Sequence, residues 1–401
     1  MFAPFGLPHP SRRTLSSAGF VVVVTAALLL ATPAPRAAAT RDEVRALWVT
    51  RASLTSPRSV HTVVQMARAS GFNTLLVQVR GRGDAYFESA LEPRADLLTG
   101  QAASFDPLAT LITQAQAEGL RVHAWVNVNL ISSAADLPAS RDHLIYRHPE
   151  WLMLPRPLAY ALSRIDVRSP EYLGRLARWT RAADHRVGVV DDLARRYALD
   201  GVHVDYIRYP GAEFDFSRLA LQAFRQDLDA AMTPEERRRF DPGNMTALLA
   251  ATDTYSERWA GFRRSRLNSL VLRLRTAVKA RRPAALFSAA VYPEPAEATG
   301  RKFQDWPLWL EKRWIDVVCP MAYTPDATIF ASQIATVRQA AGNQPVWAGI
   351  GAYRLSPAQT VQNIETARRL GASGIVLFSY DSLAPRGLDY LASISRAAFS
   401  P

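Results

Sequence analysis

The sequence carries, at residues 200–211, the stretch Asp200-Gly201-Val202-His203-Val204-Asp205-Tyr206-Ile207-Arg208-Tyr209-Pro210-Gly211. Its central run is rich in β-branched and aromatic residues, opens on Asp-Gly and closes on Pro-Gly, which is how a strand between two turns is punctuated. Side chains alternate across a strand. One face is therefore expected to carry His203, Asp205, Ile207 and Tyr209, and the other Val202, Val204, Tyr206 and Arg208. The stretch predicts a buried strand that ends among reactive side chains.

Seven more strands of this kind alternate with helix-length amphipathic stretches. The eight predicted strands are Val44 to Thr50, Thr74 to Arg80, Arg121 to Asn127, Gly201 to Ile207, Leu286 to Tyr292, Asp316 to Tyr323, Val346 to Ala352 and Gly374 to Tyr380. Eight βα repeats, with no Gly-rich phosphate turn after the first strand, predict an α/β fold of the (β/α)8 TIM-barrel type. No linker or shift in composition marks a second domain, so residues 40–401 are predicted to form one barrel domain.

Polar side chains collect toward the carboxyl ends of the predicted strands, where barrels of this type gather their reactive groups. Alternation places Gln78, Arg80 and Asn127 in the barrel lumen near those ends. Tyr323 and Tyr380 close the sixth and eighth strands. Buried polar groups are costly unless they are used or paired, so this end of the barrel is the predicted site.

Two connections are much longer than the usual few residues, namely those that follow strands 3 and 4. They run from Val128 to about Glu171 and from Pro210 to about Tyr255. Long loops at one mouth of a barrel usually build a binding cleft. Their aromatic side chains either stack on sugar rings or pack the loops down, and both readings apply to each of them. These aromatics include Trp151, Tyr160, Phe214, Phe216 and Phe224.

Asp205 is the predicted catalytic residue because it lies near the carboxyl end of the fourth strand. His203, one layer below, is expected to hold it by a hydrogen bond. A partly desolvated carboxyl group serves as an acid, unless Arg208 lies close enough to keep it ionised as a base or nucleophile. The alternative is a structural ion pair of Asp205 with Arg208 or Arg80.

Hydrolysis of a glycosidic bond normally takes two carboxyl groups, about 5 Å apart for retention and about 6.5 to 9.5 Å apart for inversion. The second must come from another strand end. Glu294, just after the fifth strand, is the first candidate, and Asp326 and Asp381 follow. Each of these acids is equally able to cap the next helix.

The amino terminus has the pattern of a secretory signal peptide over residues 1–39. Arg12 and Arg13 precede an apolar run from Gly19 to Ala31, and a small-residue cleavage site follows at residues 37–39. The pattern predicts export to the periplasm or the exterior, with a membrane anchor as the alternative. Cleavage removes three arginines and no acid, so the formal charge falls from +12 to +9.

The rest of the composition narrows the partners. The arginines are scattered along helices rather than gathered with aromatics, which argues against nucleic acid and favours solvated helix faces. Cys319 is the only cysteine and lies in an apolar run, where a buried thiol is the expected state. His123 and His203 have no third ligand at metal-like spacing, so neither a metal nor another cofactor is expected. No Gly-x-Ser-x-Gly elbow is present, which argues against an esterase.

The chain resembles the glycosyl hydrolase-like family 10 proteins, exported bacterial (β/α)8 enzymes, from about Arg45 to Leu383. The resemblance rests on seven motifs. They are Arg45-Ala46-Leu47-Trp48, Phe72-Asn73-Thr74, His148-Pro149-Glu150-Trp151, the fourth-strand stretch 200–210, Gln304-Asp305-Trp306, Cys319-Pro320-Met321-Ala322-Tyr323 and Phe378-Ser379-Tyr380. The fourth strand also looks like that of chitinase-type family 18 hydrolases, but Ile207 stands where their catalytic glutamate would be. That departure removes the chitinase acid.

The resemblance implies a glycosidase that acts on a bacterial polysaccharide, with peptidoglycan glycan strands as a substrate of some members. The expected catalytic pair is Asp205 with Glu294. The expected substrate-binding residues are Gln78, Arg80, Asn127, His203, Tyr206, Arg208, Tyr323 and Tyr380. No stable membrane insertion is expected after signal cleavage. The rival function is a barrel that binds cell-wall glycans without cutting them.

Overall fold

Eight parallel strands hydrogen-bond in sequence order, and the first strand pairs with both the second and the eighth, so the sheet closes into a barrel. This architecture is seen in a computed structural model that describes residues 43–131, 137–166, 168–176, 186–386 and 388–399. The strands are β1 (Val44–Val49), β2 (Thr74–Arg80), β3 (Arg121–Asn127), β4 (Gly201–Asp205), β5 (Leu286–Val291), β6 (Val317–Ala322), β7 (Trp347–Ile350) and β8 (Gly374–Leu377). The predicted (β/α)8 barrel is confirmed. The predicted signal peptide, residues 1–39, lies outside the described residues.

Helices follow the strands around the outside of the barrel. The α-helices are α1 (Pro57–Ala69), α2 (Pro107–Ala117), α3 (Leu144–Arg147), α4 (Arg156–Ala161), α5 (Pro170–Leu176), α6 (Arg186–Arg196), α7 (Arg218–Leu228), α8 (Pro234–Arg239), α9 (Met245–Thr254), α10 (Ser256–Arg281), α11 (Pro295–Arg301), α12 (Trp306–Glu311), α13 (Ala327–Ala341), α14 (Pro357–Arg369), α15 (Tyr380–Leu383) and α16 (Leu388–Ile394). Short 3-10 turns lie at Arg51–Leu54, Asp96–Leu98, Pro149–Trp151, Asp229–Ala231, Ala352–Arg354 and Ala384–Arg386, and a π turn at Ser395–Phe399. Within the described residues, no helix is both long and apolar enough to span a bilayer.

The apolar residues of the barrel form two layers, as the alternation of each strand requires. Outward-facing residues such as Leu75, Val77 and Val204 pack against the helices. Inward-facing residues fill the lumen, and this inner cluster contains Val44, Ala46, Trp48, Leu76, Trp125, Val317, Cys319, Trp347 and Val376. Cys319 is fully buried here, and burial raises the pKa of its thiol.

Two glycines make room for large rings in the lumen. A Cβ atom on Gly201 would lie 2.3 Å from Nδ1 of His123, and one on Gly349 would lie 2.8 Å from the indole of Trp48. Real Cβ atoms do not approach other atoms that closely. Glycine at these strand positions therefore lets the inward-facing rings lie against the backbone of a neighbouring strand.

The two long connections form a small core of their own beside the barrel. Leu152, Phe216, Phe224 and Trp259 are buried in it. Phe214 packs in the outer layer of the barrel instead, while Tyr160 is 59% exposed. Of the two readings of these aromatics, packing therefore holds for Phe214, Phe216 and Phe224.

Candidate active site

A cavity of about 640 Å³, called the main cavity below, opens where the carboxyl ends of the strands meet. Six of the predicted site residues line it, namely Gln78, Asn127, Asp205, Tyr206, Arg208 and Tyr323. Arg80, His203, Tyr380 and Glu294 do not belong to its lining. The fold thus brings residues from β2, β3, β4 and β6 to one mouth, as expected for a barrel of this class.

Asp205 is the last residue of β4, which ends two residues earlier than predicted. Tyr206 follows with a φ of +50°, in the left-handed region that non-glycine residues seldom adopt. This turn interrupts the alternation of the strand. Tyr206 and Arg208 therefore line the cavity together with Asp205, while Ile207 is buried in the outer layer. The prediction that Ile207 shares a face with Asp205 is wrong for this reason.

Arg208 forms an ion pair with Asp205. Its guanidinium donates to Oδ1 of Asp205 at 2.9 Å, and the backbone amide of Tyr206 donates to the same oxygen at 2.5 Å. Both side chains of the pair are 10% exposed. Among the described residues, no donor contacts Oδ2, which is left available to a ligand in the cavity. Of the two partners considered for an ion pair with Asp205, the structure selects Arg208 over Arg80.

Two tyrosine rings hold the guanidinium of Arg208 in place. It lies 4.4 Å from the ring centre of Tyr206 and 5.2 Å from that of Tyr292. Gln304 supports this arrangement from below, because it accepts from the amide of Tyr292 at 2.9 Å and donates to the carbonyl of Ile207 at 3.3 Å. Gln304 is fully buried, and its two hydrogen bonds connect the chain just after β4 with the chain just after β5.

His203 is absent from the lining of the cavity, and both of its ring nitrogens bond to residues other than Asp205, so the predicted hydrogen bond between them is wrong. Its Nε2 accepts from the indole of Trp48 at 3.2 Å, and its Nδ1 lies 2.9 Å from the hydroxyl of Ser288. Because Nε2 is an acceptor, Nδ1 carries the proton and donates to Ser288. Burial lowers the pKa of His203 to about 3. Burial, together with the nearby His203 and Arg121, also lowers the pKa of His123 to about 3. His203 is a neutral core residue that positions Trp48.

Arg80 is fully buried and bonded away from the cavity. Its guanidinium donates to both oxygens of Glu92, at 2.6 to 2.9 Å, and to the carbonyl of Asn127. The register between β2 and β3 shifts after Gln78, so Arg80 pairs with the outward-facing Val126. Such a bulge turns the following side chain to the other side of the sheet. The prediction that Arg80 faces the lumen is therefore wrong.

Gln78 and Asn127 remain in the lumen, one residue before the bulge and at the end of β3. The amide oxygen of Gln78 accepts from the guanidinium of Arg51 at 2.8 Å. Asn127 accepts from the indole of Trp125 at 2.9 Å and donates to the carbonyl of Gly81 at 3.1 Å. Both amides are therefore held in fixed orientations at the cavity wall.

The acids predicted at other strand ends lie outside the lining of the cavity. Glu294 is exposed and accepts from Gln333 of α13 at 2.5 Å. Asp326 caps α13 through the amides of Thr328 and Ile329. Asp381 accepts from the amide of Thr50 and the hydroxyl of Ser53, and so ties β8 to the loop after β1. Tyr380, its neighbour, is buried in the outer core. The catalytic role of Glu294 stays a prediction.

Aromatic rings form the floor of the cavity. Trp48 lies edge-on to Tyr323 and Phe378, with ring centres 6.1 and 5.8 Å apart, and Trp125 lies 6.4 Å from Phe378. Apolar ring surface of this kind suits the faces of sugar rings. The inward parity of Trp48 and Trp125 was readable from the sequence. The contribution of Arg51 was not, because it lies in a loop beyond the end of β1, whereas Gly81-Arg82-Gly83 has the glycine pattern of an active-site loop.

The model of the Glycosyl hydrolase-like 10 family matches residues 43–366, which include strands β1 to β7 of the barrel and most of its helices. The chain belongs to the Glycosyl hydrolase-like 10 family. The resemblance drawn from its motifs is thereby confirmed. Among the described residues, no group of three or more His, Cys, Asp or Glu side chains is arranged to hold a metal ion.

Two curated relatives carry glycosyl hydrolase names. Glycosyl hydrolase YngK of Bacillus subtilis (strain 168) is 24% identical over 273 residues, covering 63% of this chain and 46% of that protein. Glycosyl hydrolase DigH of Escherichia coli (strain K12) is 28% identical over 164 residues, covering 36% of this chain and 34% of that protein. The chain therefore spans less than half the length of each of these relatives.

Solved structures share the fold at low sequence identity. The glycoside hydrolase domain of PgaB (BpsB) from Bordetella bronchiseptica superposes with a TM-score of 0.58 at 16% identity, covering 90% of this chain and all of that one. Gan42B, a GH42 β-galactosidase from G. stearothermophilus, gives 0.55 at 15% identity, covering 90% of this chain and 57% of that one. Both comparisons establish the TIM-barrel fold.

Proposed function

We propose that this protein is a glycoside hydrolase that cleaves O-glycosidic bonds of a bacterial polysaccharide, and that peptidoglycan glycan strands are its substrate. The observation that carries the proposal is the position of Asp205. It stands at the end of β4, beside the aromatic floor of the main cavity, in a member of a glycosyl hydrolase-like family. A carboxylate beside ring-stacking surface at the carboxyl end of barrel strands is the arrangement that glycosidase chemistry needs.

The ion pair with Arg208 supports a role for Asp205 as a base or nucleophile. Its Oδ1 already accepts from two N–H groups, one of them on the cationic guanidinium, and such charge-assisted hydrogen bonds are among the stronger ones in proteins. Asp205 therefore acts as a base or nucleophile through Oδ2, rather than as the acid. Arg208 and Tyr206 hold it in that orientation, and Gln78, Asn127 and Tyr323 contact the sugar.

The proton donor to the leaving group has to come from another residue. Glu294 is the partner proposed from the sequence, and reaching the cavity requires it to leave its contact with Gln333. Asp84 is a second candidate, because it lines a groove that continues from the cavity. Replacing each with its amide, one at a time, identifies the donor by the loss of turnover.

One observation favours a second function, a barrel that binds glycans without cutting them. Among the described residues that line the main cavity, Asp205 is the only carboxylate. Two carboxyl groups are the usual requirement for hydrolysis. Binding to glycan strands without release of new reducing ends would establish this alternative.

The deciding experiment incubates the purified protein with peptide-free peptidoglycan glycan strands and measures new reducing ends. We expect release by the wild type and a loss of at least a hundredfold in Asp205→Asn. Equal release by the two proteins would refute the assigned mechanism. Export, proposed from residues 1–39, is tested separately by locating the protein in fractionated cells.

A further inference from the structure

The main cavity continues into a groove of about 300 Å³ formed by the loops after β2 and β3. The two spaces share three lining residues, Arg51, Arg82 and Leu97. Two arginines therefore stand at the junction between the space beside Asp205 and a neighbouring space. A polysaccharide that extends from the cavity into the groove would place its next sugar at this junction.

The segment Gly81-Arg82-Gly83 is built to hold these arginines. A Cβ atom on Gly81 would lie 2.6 to 2.8 Å from the side chain of Arg51, so the absence of a side chain lets Arg51 lie across the backbone. Gly83 has a φ of +76°, and a Cβ atom there would lie 2.8 Å from Nε2 of His143. Gly83 is therefore required by its backbone conformation and by the His143 ring, while Gly81 leaves room for the Arg51 side chain.

His143 fixes the backbone of Arg82. Its Nδ1 accepts from the amide of Ile145 at 3.2 Å, so the proton is on Nε2, which donates to the carbonyl of Arg82 at 2.7 Å. Asp84 accepts from the amide of Arg82 at 2.8 Å. The main chain of Arg82 is thus anchored at both its amide and its carbonyl.

The arginine side chains at the junction differ in their ion pairs. Arg208 is paired with Asp205. Within the described part of the chain, no ion pair joins the guanidinium of Arg51 or Arg82 to a carboxylate, although Asp84 accepts from the backbone amide of Arg82 and lines the same groove. Arg51 is oriented by the neutral amide oxygen of Gln78. Both side chains are half-buried, where a charge is screened less than on the open surface. An arginine fixed in this way is suited to bind a carboxylate with two hydrogen bonds.

We propose that Arg51 and Arg82 form a subsite for a carboxylate carried by a sugar of the substrate, adjacent to the sugar that contacts Asp205. The proposal rests on the proposed function for the identity of the ligand as a glycan. It narrows the substrate to acidic glycans, in which a carboxylate recurs along the chain. Peptide-free glycan strands satisfy this requirement through the lactyl carboxylate on every second sugar, whereas chitin oligosaccharides do not.

The test measures binding by calorimetry in the Asp205→Asn background, so that the ligand is not consumed. The probes are peptide-free glycan strands and the same strands with their carboxylates reduced to alcohols. We expect the intact strands to bind about tenfold or more tightly than the reduced strands. Arg82→Gln and Arg51→Gln should each remove most of that difference. Arg58→Gln, an exposed position on α1, changes the net charge equally and should leave the difference intact.

Equal binding of the two probes, or an unchanged preference in both Arg82→Gln and Arg51→Gln, would overturn the subsite. Thermal unfolding of each variant shows that it is folded, and Arg82→Lys, which keeps the charge but loses the two-pronged geometry, should recover part of the preference. Hydrolysis by the wild type is measured separately. Carboxylate-dependent binding without cleavage would refute the hydrolase and support the subsite, whereas cleavage with equal binding of both probes would do the reverse.

Discussion

Replacing Asp205 by Asn removes the charge on which both the proposed chemistry and the Arg208 ion pair depend. The side chain keeps its shape and one oxygen acceptor, while Arg208 keeps its two tyrosine contacts. Removing one partner of a buried pair costs about 3 to 5 kcal/mol, and we expect the low end, about 3 kcal/mol, because Asn still accepts a hydrogen bond. Loss of a base or nucleophile lowers turnover by about 10² to 10⁴-fold.

The stability cost translates into a modest change in melting temperature. An unfolding entropy of about 2.1 cal/mol/K per residue gives roughly 0.75 kcal/mol/K for a barrel of about 360 residues. A loss of about 3 kcal/mol then lowers Tm by about 4 °C. Calorimetry measures this shift, and release of reducing ends from peptide-free glycan strands measures turnover. The enzyme should remain fully folded at 25 °C and yet be almost inactive.

Asp316→Asn is the matched control. Asp316 pairs with Lys279 at 2.7 Å and accepts from the amide of Phe287 at 2.8 Å, but it precedes β6, at the opposite mouth of the barrel. We expect it to lower Tm without a comparable loss of turnover. If Asp205→Asn releases reducing ends at the wild-type rate, or if the control loses as much activity, the role assigned to Asp205 is wrong.

Three further predictions follow from the lumen and the strand ends. Gly201→Ala should destabilise the fold by about 1 to 3 kcal/mol or more, because the added Cβ meets the His123 ring. Gly261→Ala, in open space on α10, should instead stabilise the fold by up to about 1 kcal/mol. Urea unfolding measures both changes in the free energy of unfolding. The pKa of His203 is about 3 in the folded chain and 6.5 in the unfolded chain. Between these pH values the unfolded chain binds a proton at His203 that the folded chain does not, so the free energy of unfolding falls as the pH drops from 6.5 toward 3. His203→Gln should therefore show a slope about 1.4 kcal/mol per pH unit shallower than the wild type between pH 5.5 and 4, and parallel slopes would contradict the buried neutral state. Glu294→Gln should lower turnover about a hundredfold, and Tm should change little because the side chain is exposed. Asp381→Asn should lower Tm, because it loses hydrogen bonds to the loop after β1. Unchanged turnover in Glu294→Gln would exclude Glu294 from the catalytic site.

The position of Asp205 shows how far sequence reasoning reaches into the site. Strand alternation and the rule that barrel sites lie at the carboxyl ends of strands were enough to select it. The same reasoning put Gln78, Asn127 and Tyr323 at the cavity. It failed at Arg80 and Ile207, because a bulge in β2 and a left-handed residue after β4 reverse the alternation. The residues concerned, Val79 and Tyr206, are not glycines and so do not mark these irregularities in the sequence.

The sequence by itself determined the barrel, since eight short apolar runs with helical patterns between them have few other ways to bury their faces. It also determined the family, through motifs spread along the strands and the connections between them. Only the tertiary structure decided that Arg208 rather than His203 holds Asp205, and that Arg51 and Arg82 meet at the junction of two cavities. These contacts join loops far apart in the chain, and their geometry depends on how the strands are registered and how the loops pack. Periodicity within one strand carries no information about either.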